Sequence, residues 1–349
     1  MEISRDYAQY AAEKAIELLK IDSPTGFTAR AAEWVLGQFR ALGYEASLTR
    51  KGAALVDFGA VPEAEEGALL LEAHTDTLGA MVAEVKGNGR LRVTPLGGLR
   101  AVNVETENVR IYTRAGKVYE GTLQLKNAST HVNAELGKTE RTFDSVEVVI
   151  DEQADSAEEV KALGISNGDI VCPDPRAHIT ESGYIKSRFL DDKLSVAILL
   201  GFAKFLKDFG LTPSRRVYAL ITVYEEVGHG GSAAIPADVT EAVSVDMGCI
   251  GDGLACTERM VSICAKDSGG PYDYEVTDRL VKAALREGAD YAVDVYPHYG
   301  SDVEATLAAG YDVKHGLIGP GVYASHGYER SHVDGVYATL KLLKGFLEL

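Results

Sequence analysis

Short runs of apolar residues alternate along this chain with segments of helical periodicity, and this alternation restricts the fold more than any other feature. Residues 68–73 and 217–223 are apolar runs of strand length, and residues 243–245 form a shorter one. The predicted helices cover residues 5–20, 28–42, 192–208, 276–287 and 332–348. Buried strands separated by helices are typical of a mostly parallel sheet with helices on both faces. The sequence therefore predicts an α/β fold.

The region after the first predicted strand has a different pattern, in which apolar and polar side chains alternate over short segments. Gly-containing turns separate these segments, which are residues 91–93, 109–112 and 146–150. Alternation with a period of two between such turns is typical of antiparallel strands. We therefore expect one α/β domain, formed by residues 1–77 and 181–349, interrupted by a β-rich insert at 78–180.

The charge and the cysteines of the 349-residue chain limit its partners and its location. A net charge of −17 should repel nucleic acid and anionic membrane surfaces. Four cysteines without Cys-x-x-Cys spacing indicate free thiols in a reducing compartment. The chain has no signal-peptide pattern at its beginning, and no stretch approaches the roughly 18–20 apolar residues of a membrane span. We therefore expect a cytoplasmic protein with no nucleic-acid or membrane partner.

Histidine and acidic residues directly follow the predicted strands. The first strand runs into a His-x-Asp motif, the second into a Glu-Glu pair and the third into a single Asp, while an Asp-Asp pair precedes a predicted helix. The candidates, with a histidine from a Gly-rich loop, are His74, Asp76, Asp191, Asp192, Glu225, Glu226, Asp246 and His326. Because ligands of open α/β sheets collect at the carboxyl ends of strands, we expect these side chains to meet at one edge.

Each of these features alone has an ordinary explanation, since adjacent acids usually form a solvated face and a single histidine is more often a core or surface residue. Glu225 and Glu226, however, follow an apolar strand, where two desolvated carboxylates repel each other unless a cation is present. The same holds for Asp191 and Asp192, which precede an apolar helix. Imidazoles and carboxylates together suit two divalent ions such as zinc, cobalt or manganese.

The order of these residues resembles that of the di-metal aminopeptidases of the tetrahedral (TET) family, which includes glutamyl and deblocking aminopeptidases and some proteins named endoglucanase. The resemblance covers almost the whole chain, including the β-rich insert. The segments that carry it are residues 72–79, 190–193, 222–228 and 324–332. The last of them is most similar to a subgroup linked to a dipeptide-type osmoprotectant pathway.

The resemblance implies that five side chains hold two divalent metal ions per subunit, with zinc expected and cobalt or manganese as alternatives. Asp191 would bridge the two ions, and His74 and Asp246 would complete one site. Glu226 and His326 would complete the other site. The choice of Asp191 over the neighbouring aspartate rests on the family pattern alone.

The resemblance also implies two catalytic residues and an assembly. Glu225 would act as the general base and then protonate the leaving amine. Asp76 would hydrogen-bond the far nitrogen of His74 and fix its tautomer. The implied reaction is removal of N-terminal residues from short peptides. The implied fold has a sheet like that of the zinc peptidases. The insert at 78–180 would be a small β-barrel that mediates dimerisation, and dimers would assemble into a tetrahedral dodecamer.

Several roles stay open at this point. The family usually has a proline soon after its last histidine, whereas Gly327 follows His326 here, so His332 is a competing ligand. Asp302 stands where the family has a substrate-side Thr-Asp pair, and His229 follows the acid pair after two residues. Asp302 is a candidate substrate contact, whereas for His229 a solvent-facing loop is favoured over such a contact.

Other functions are weighed against the peptidase. A glycoside hydrolase could use an acid pair such as Glu225 with Asp191 and would need no metal. A deacylase on the same scaffold would cleave a different amide bond. A non-enzymatic assembly protein is disfavoured, because every expected ligand type is present.

Overall fold

The computed structural model describes residues 2–62 and 65–349, except for the side chains of residues 65 and 66. The chain forms two compact units, one of residues 1–76 and 176–349 and the other of residues 77–175. The first is an α/β unit and the second is a β-barrel unit inserted into it. The α/β class predicted from the sequence is confirmed.

The bounds of the elements are as follows. The helices are α1 (Arg5–Leu19), α2 (Ala29–Ala41), α3 (Ala157–Ala162), α4 (Leu190–Asp208), α5 (Tyr274–Glu287), α6 (Asp302–Ala308) and α7 (Val333–Phe346). The strands are β1 (Glu45–Leu48), β2 (Ala54–Gly59), β3 (Glu65–His74), β4 (Gly79–Val85), β5 (Leu91–Leu96), β6 (Asn108–Tyr112), β7 (Val118–Leu125), β8 (Val146–Ile150), β9 (Ile170–Pro173), β10 (His178–Ile179), β11 (Tyr184–Ser187), β12 (Arg215–Thr222), β13 (Val239–Val245), β14 (Gly248–Ile250), β15 (Val261–Lys266), β16 (Tyr291–Val295), β17 (Lys314–Tyr323) and β18 (Glu329–His332). In the described part of the chain, no helix has both the length and the apolar character needed to cross a membrane.

The α/β unit is built on one sheet with the strand order β1-β2-β12-β3-β13-β17-β18-β11-β10, to which β14, β15 and β16 are attached. Its central strands β12, β3, β13 and β17 run parallel to one another. Thr222 of β12 lies opposite His74, the last residue of β3. Ser244 of β13 lies opposite Glu72 of β3. The carboxyl ends of these three strands are therefore level with one another.

The central strand β3 is covered on both faces. Leu69, Leu70 and Leu71 are all fully buried, although successive side chains of a strand point to opposite faces of the sheet. Helices α4 and α6 both pack against this strand. A continuous apolar run is thus what the position of β3 requires, because neither face of the strand meets water.

Helix α4 has an irregular first turn, which matters for the site. The predicted helix at 192–208 is observed, but Asp191 and Asp192 precede its regular part with non-helical dihedral angles. The peptide bond between these two aspartates is cis. Both side chains are buried at the entrance of the helix.

The inserted unit is a closed barrel with the strand order β4-β5-β8-β7-β6-β9. The alternating segments seen in the sequence correspond to β5, β6 and β8. Along β7, Gly121, Leu123 and Leu125 are buried while the residues between them are partly exposed. This period of two gives the barrel an apolar interior.

We expect the substitution Gly319→Ala to destabilise the protein. Gly319 lies on β17, and a Cβ there would overlap the backbone carbonyl of Asp246 at the end of β13. Because backbone atoms cannot move away as a flexible side chain can, the free energy of unfolding should fall by about 1–3 kcal/mol. Urea denaturation measures this change.

The matched control for this prediction is Gly37→Ala in helix α2, where a Cβ meets nothing within 4 Å. Its expected effect is neutral or stabilising by up to ~1 kcal/mol, because alanine is the better helix former. Equal stabilities of the two variants would show that β13 and β17 do not approach as closely as described.

Candidate metal centre

The predicted site residues meet at the carboxyl edge of the parallel strands. His74 ends β3, and Glu225 and Glu226 begin a short 3₁₀ turn that follows β12. Asp246 is the first residue after β13, and His326 lies in the loop between β17 and β18. Four different strands therefore deliver side chains to one place. Three of these strands were predicted from the sequence together with the residues that follow them, whereas β17, which leads to His326, was not.

Asp191, from the entrance of helix α4, lies between the two imidazoles. Its Oδ1 is 3.1 Å from Nε2 of His74, and its Oδ2 is 3.5 Å from Nε2 of His326. One carboxylate thus turns a different oxygen to each histidine, which suits a ligand shared by two cations. Asp192 instead accepts the backbone N–H of His74 at 3.3 Å.

The side chains form two groups of metal-ligand type that share one member. The first group is His74, Asp191 and Asp246, and the second is Asp191, Glu226 and His326; within each group the ligand atoms lie within 4.8 Å of one another. Imidazole nitrogens and carboxylate oxygens are the donors that zinc and similar divalent ions prefer. The residues present therefore fit a pair of divalent ions.

The charges at this edge of the sheet also favour the binding of divalent cations. Burial raises the pKa of Asp246 to about 7, and the nearby Asp191 carboxylate adds to the effect. Burial and neighbouring acids also raise the pKa of Glu225 and of Glu226 well above their usual range. A hydrogen bond to Asp191 raises the pKa of His326 to about 9. Acids gathered away from water stay ionised only when positive charge balances them, which divalent cations would supply.

Asp76 supports the site differently from the sequence prediction. The ring Nδ1 of His74 is 2.9 Å from the backbone carbonyl oxygen of Asp76, whereas the Asp76 carboxylate is 3.6 Å from it. That carboxylate accepts the backbone N–H groups of Glu225 at 3.1 Å and Glu226 at 3.4 Å. It also accepts the Thr25 hydroxyl at 2.7 Å. Because these donors occupy its oxygens, Asp76 holds the turn after β12 with its carboxylate and orients His74 with its backbone.

Asp302 supports the same turn from another element. It is 3% exposed, and its Oδ1 accepts the backbone N–H of Gly231 at 2.7 Å. The hydroxyl of Thr222, at the end of β12, donates to its other oxygen. A Cβ at Gly230 would overlap the Asp302 carboxylate, which explains the Gly-Gly pair at this point. Both oxygens of Asp302 thus accept hydrogen bonds from the protein itself, which gives this residue a structural role at the turn.

The two additional histidines lie outside both ligand groups found among the described residues. Nε2 of His332 is 2.8 Å from the carbonyl oxygen of Ser182, and its Nδ1 accepts the N–H of Asp334 at the start of helix α7. His332 is thus a helix cap. The exposed ring of His229 stacks on Tyr224 with 4.9 Å between ring centroids.

Two residues beside the centre were not anticipated. Glu329 is buried and accepts backbone N–H groups from Asp191 and His326. The hydroxyl of Tyr299 donates to the carbonyl of Met247 at 3.0 Å. An acid three residues after a candidate ligand was a usable signal for the first, whereas no sequence pattern singles out the second.

Comparisons with known proteins show similarity over most of the chain. Residues 58–342 match the family model of the M42 glutamyl aminopeptidases. The chain is 41% identical over 332 residues to the Bacillus subtilis protein YhfE, covering 95% of each chain. It is 27% identical over 224 residues to the glutamyl aminopeptidase of Lactococcus lactis, covering 63% of this chain and 61% of that protein.

Solved structures share the fold. An aminopeptidase from the archaeon Desulfurococcus kamchatkensis superposes with a TM-score of 0.86 at 23% identity, covering 98% of this chain and 95% of that one. The TET1 peptidase of Pyrococcus horikoshii, described as assembling into a tetrahedron or a large octahedral shell, superposes with a TM-score of 0.83 at 21% identity, covering 96% and 98%. These similarities confirm the predicted fold.

We expect the stability of the metal-free protein to fall as the pH rises from about 5 to about 9. The folded-state pKa values of Asp246, about 7, and His326, about 9, both lie above their ordinary values. A raised pKa means that the folded state binds more protons than the unfolded one, so its stabilising effect is lost as the pH passes through the folded pKa. Thermal unfolding in excess chelator measures the slope.

A saturating divalent cation should remove most of this pH dependence, and Asp246→Asn should reduce it without any metal. Stability of the chelated protein that increases with pH through this range would contradict the described charge cluster.

Proposed function

The chain belongs to the M42 glutamyl aminopeptidase family, and we propose that it removes N-terminal residues from short peptides with the help of two divalent metal ions. The observation that carries the proposal is the Asp191 carboxylate, whose two oxygens face the ring nitrogens of His74 and His326 at 3.1 and 3.5 Å. A buried acid with this environment is suited to being shared between two cations.

We propose that His74, Asp191 and Asp246 hold one ion and that Asp191, Glu226 and His326 hold the other. When bound, such ions polarise a scissile carbonyl and make water more acidic. Zinc is the expected metal because the donors are imidazoles and carboxylates, with cobalt or manganese as alternatives.

Glu225 is proposed as the general base. Its Oε2 is 3.6 Å from Nε2 of His74, so it lies against the first ligand group, yet it belongs to neither group found among the described residues. Its carboxylate is therefore available to take a proton from the attacking water and to give it to the leaving amine. Asp76 would keep it in place by accepting its backbone N–H.

Exposed apolar side chains and free thiols support proposals on the oligomeric assembly and on the cellular location. We propose that the α/β unit is catalytic and that the barrel unit mediates dimerisation, with dimers forming a tetrahedral dodecamer. The barrel unit exposes apolar side chains at Val102, Val118 and Val132, which are 60%, 49% and 76% exposed. Exposed apolar groups are candidates for burial between subunits. A cytoplasmic location is supported by the free thiols, of which Cys172, Cys256 and Cys264 are buried.

We expect Glu225→Gln to retain both metal ions and to lower kcat by a factor of roughly 10²–10⁴, because the amide keeps the shape but cannot accept the proton. The matched control is Glu226→Gln, which should lower metal content because a proposed ligand is lost. Elemental analysis and single-turnover kinetics measure the two effects. Near-normal kcat in Glu225→Gln would contradict the assignment of the base.

We expect hydrolysis of aminoacyl-arylamides and of short peptides only when their amino terminus is free. Chelation should abolish the activity, and zinc, cobalt or manganese should restore it. A screen that pairs each free substrate with its N-acetylated form, and adds aryl glycosides, tests this directly. Cleavage of acetyl groups would identify a deacylase instead, and chelator-resistant cleavage of glycosides would identify a glycoside hydrolase.

A further inference from the structure

Glu329 is a buried acid beside the candidate metal centre that belongs to neither ligand group found among the described residues. It begins strand β18, where it pairs with Ser187 of β11, and only 2% of it is exposed. A glutamate at such a depth is costly to bury unless its oxygens find donors. Its surroundings therefore indicate what it does.

Each oxygen of Glu329 accepts a backbone N–H from a different proposed metal ligand. Oε2 accepts the N–H of Asp191 at 3.1 Å, and Oε1 accepts the N–H of His326 at 2.9 Å. The two ligands come from different elements, the entrance of helix α4 and the loop after β17. One side chain thus links the backbone of both.

Neither ligand is fixed by regular secondary structure. Asp191 has a ψ angle of 103° within the first turn of α4, where helical hydrogen bonding has not begun. His326 has a φ angle of +62°, a left-handed conformation that a non-glycine residue adopts only when its surroundings enforce it. Hydrogen bonds from outside the local segment are therefore needed to hold both.

We propose that Glu329 is a positioning residue that sets the geometry of the ligand group Asp191, Glu226 and His326, and thereby the affinity of that group for a divalent ion. The proposal rests on the metal-dependent function proposed above. The first group should be less affected, because His74 and Asp246 donate no hydrogen bond to Glu329 and the first group shares only Asp191 with the second.

The chemistry of the contact explains why a carboxylate is used. Both partners are N–H donors, so the side chain between them must accept twice. A glutamine of the same shape has one acceptor oxygen, and its NH₂ group would face the second N–H. Glu329→Gln should therefore break one of the two links while leaving the volume of the side chain almost unchanged.

Metal binding to the full chain tests the proposal. Chelator-treated protein is titrated with zinc and, separately, with cobalt, whose visible absorption reports the coordination of each ion. We expect wild type to bind two ions and Glu329→Gln to bind one normally and the other with roughly 10–100-fold lower affinity, as is usual when a residue that orients a ligand is lost. At saturating metal, the kcat of Glu329→Gln should approach the wild-type value, although its apparent metal affinity stays lower.

Two further variants make the result specific. Ser331→Ala removes a buried hydrogen bond on the same strand, from the Ser331 hydroxyl to the carbonyl of Gly321 at 2.7 Å, and should retain both ions. Glu329→Asp keeps two acceptor oxygens on a shorter side chain and should show an intermediate loss of affinity. It also provides the measurement if Glu329→Gln does not fold.

The outcomes separate this proposal from the proposed function. Two ions bound by wild type and equally well by both Glu329 variants would overturn the positioning role alone. Equal losses in Ser331→Ala and Glu329→Gln would also overturn it, because general damage to strand β18 would then explain the result. A wild-type protein that binds no divalent ion would overturn the proposed function together with this inference.

Discussion

The Asp191 carboxylate, placed between two imidazoles, is the contact at which separate elements of the α/β unit meet. Its partners His74 and His326 follow different strands, so their approach requires the carboxyl ends of β3 and β17 to lie at the same edge. The parallel register of the central strands meets this requirement. The cost is a concentration of negative charge away from water, which nearby positive charge or the uptake of protons offsets.

A second set of acids holds this edge together through the backbone. Asp76, Asp302 and Glu329 each use both carboxylate oxygens to accept hydrogen bonds from the protein. They act where strands have ended and the chain turns, so that N–H groups there have no ladder partner. A carboxylate offers two strong acceptors on one short side chain, which makes it suited to joining two such segments.

The sequence predicted what regular periodicity and strand ends can reveal. The buried run at Leu69–Leu71 and the residues that follow the predicted strands sufficed to predict the sheet and the edge where His74, Glu225, Glu226 and Asp246 lie. Asp191 and His326 became candidates from an acid pair before a helix and from a Gly-rich loop instead. The partners of Asp76 could not be predicted, because its backbone carbonyl and its carboxylate compete for His74 and only loop geometry decides between them. Glu329 was missed for a related reason, since its contact with Asp191 joins residues 138 positions apart.

The adjacent glutamates show how loop geometry can separate two identical side chains. Asp76 accepts the N–H groups of both, which fixes the turn. From that turn, Oε2 of Glu225 lies 3.6 Å from Nε2 of His74, whereas Oε2 of Glu226 lies 3.6 Å from Nε2 of His326. The two carboxylates therefore reach opposite ends of the centre. This geometry allows Glu226 to serve as the proposed ligand and Glu225 as the proposed proton acceptor.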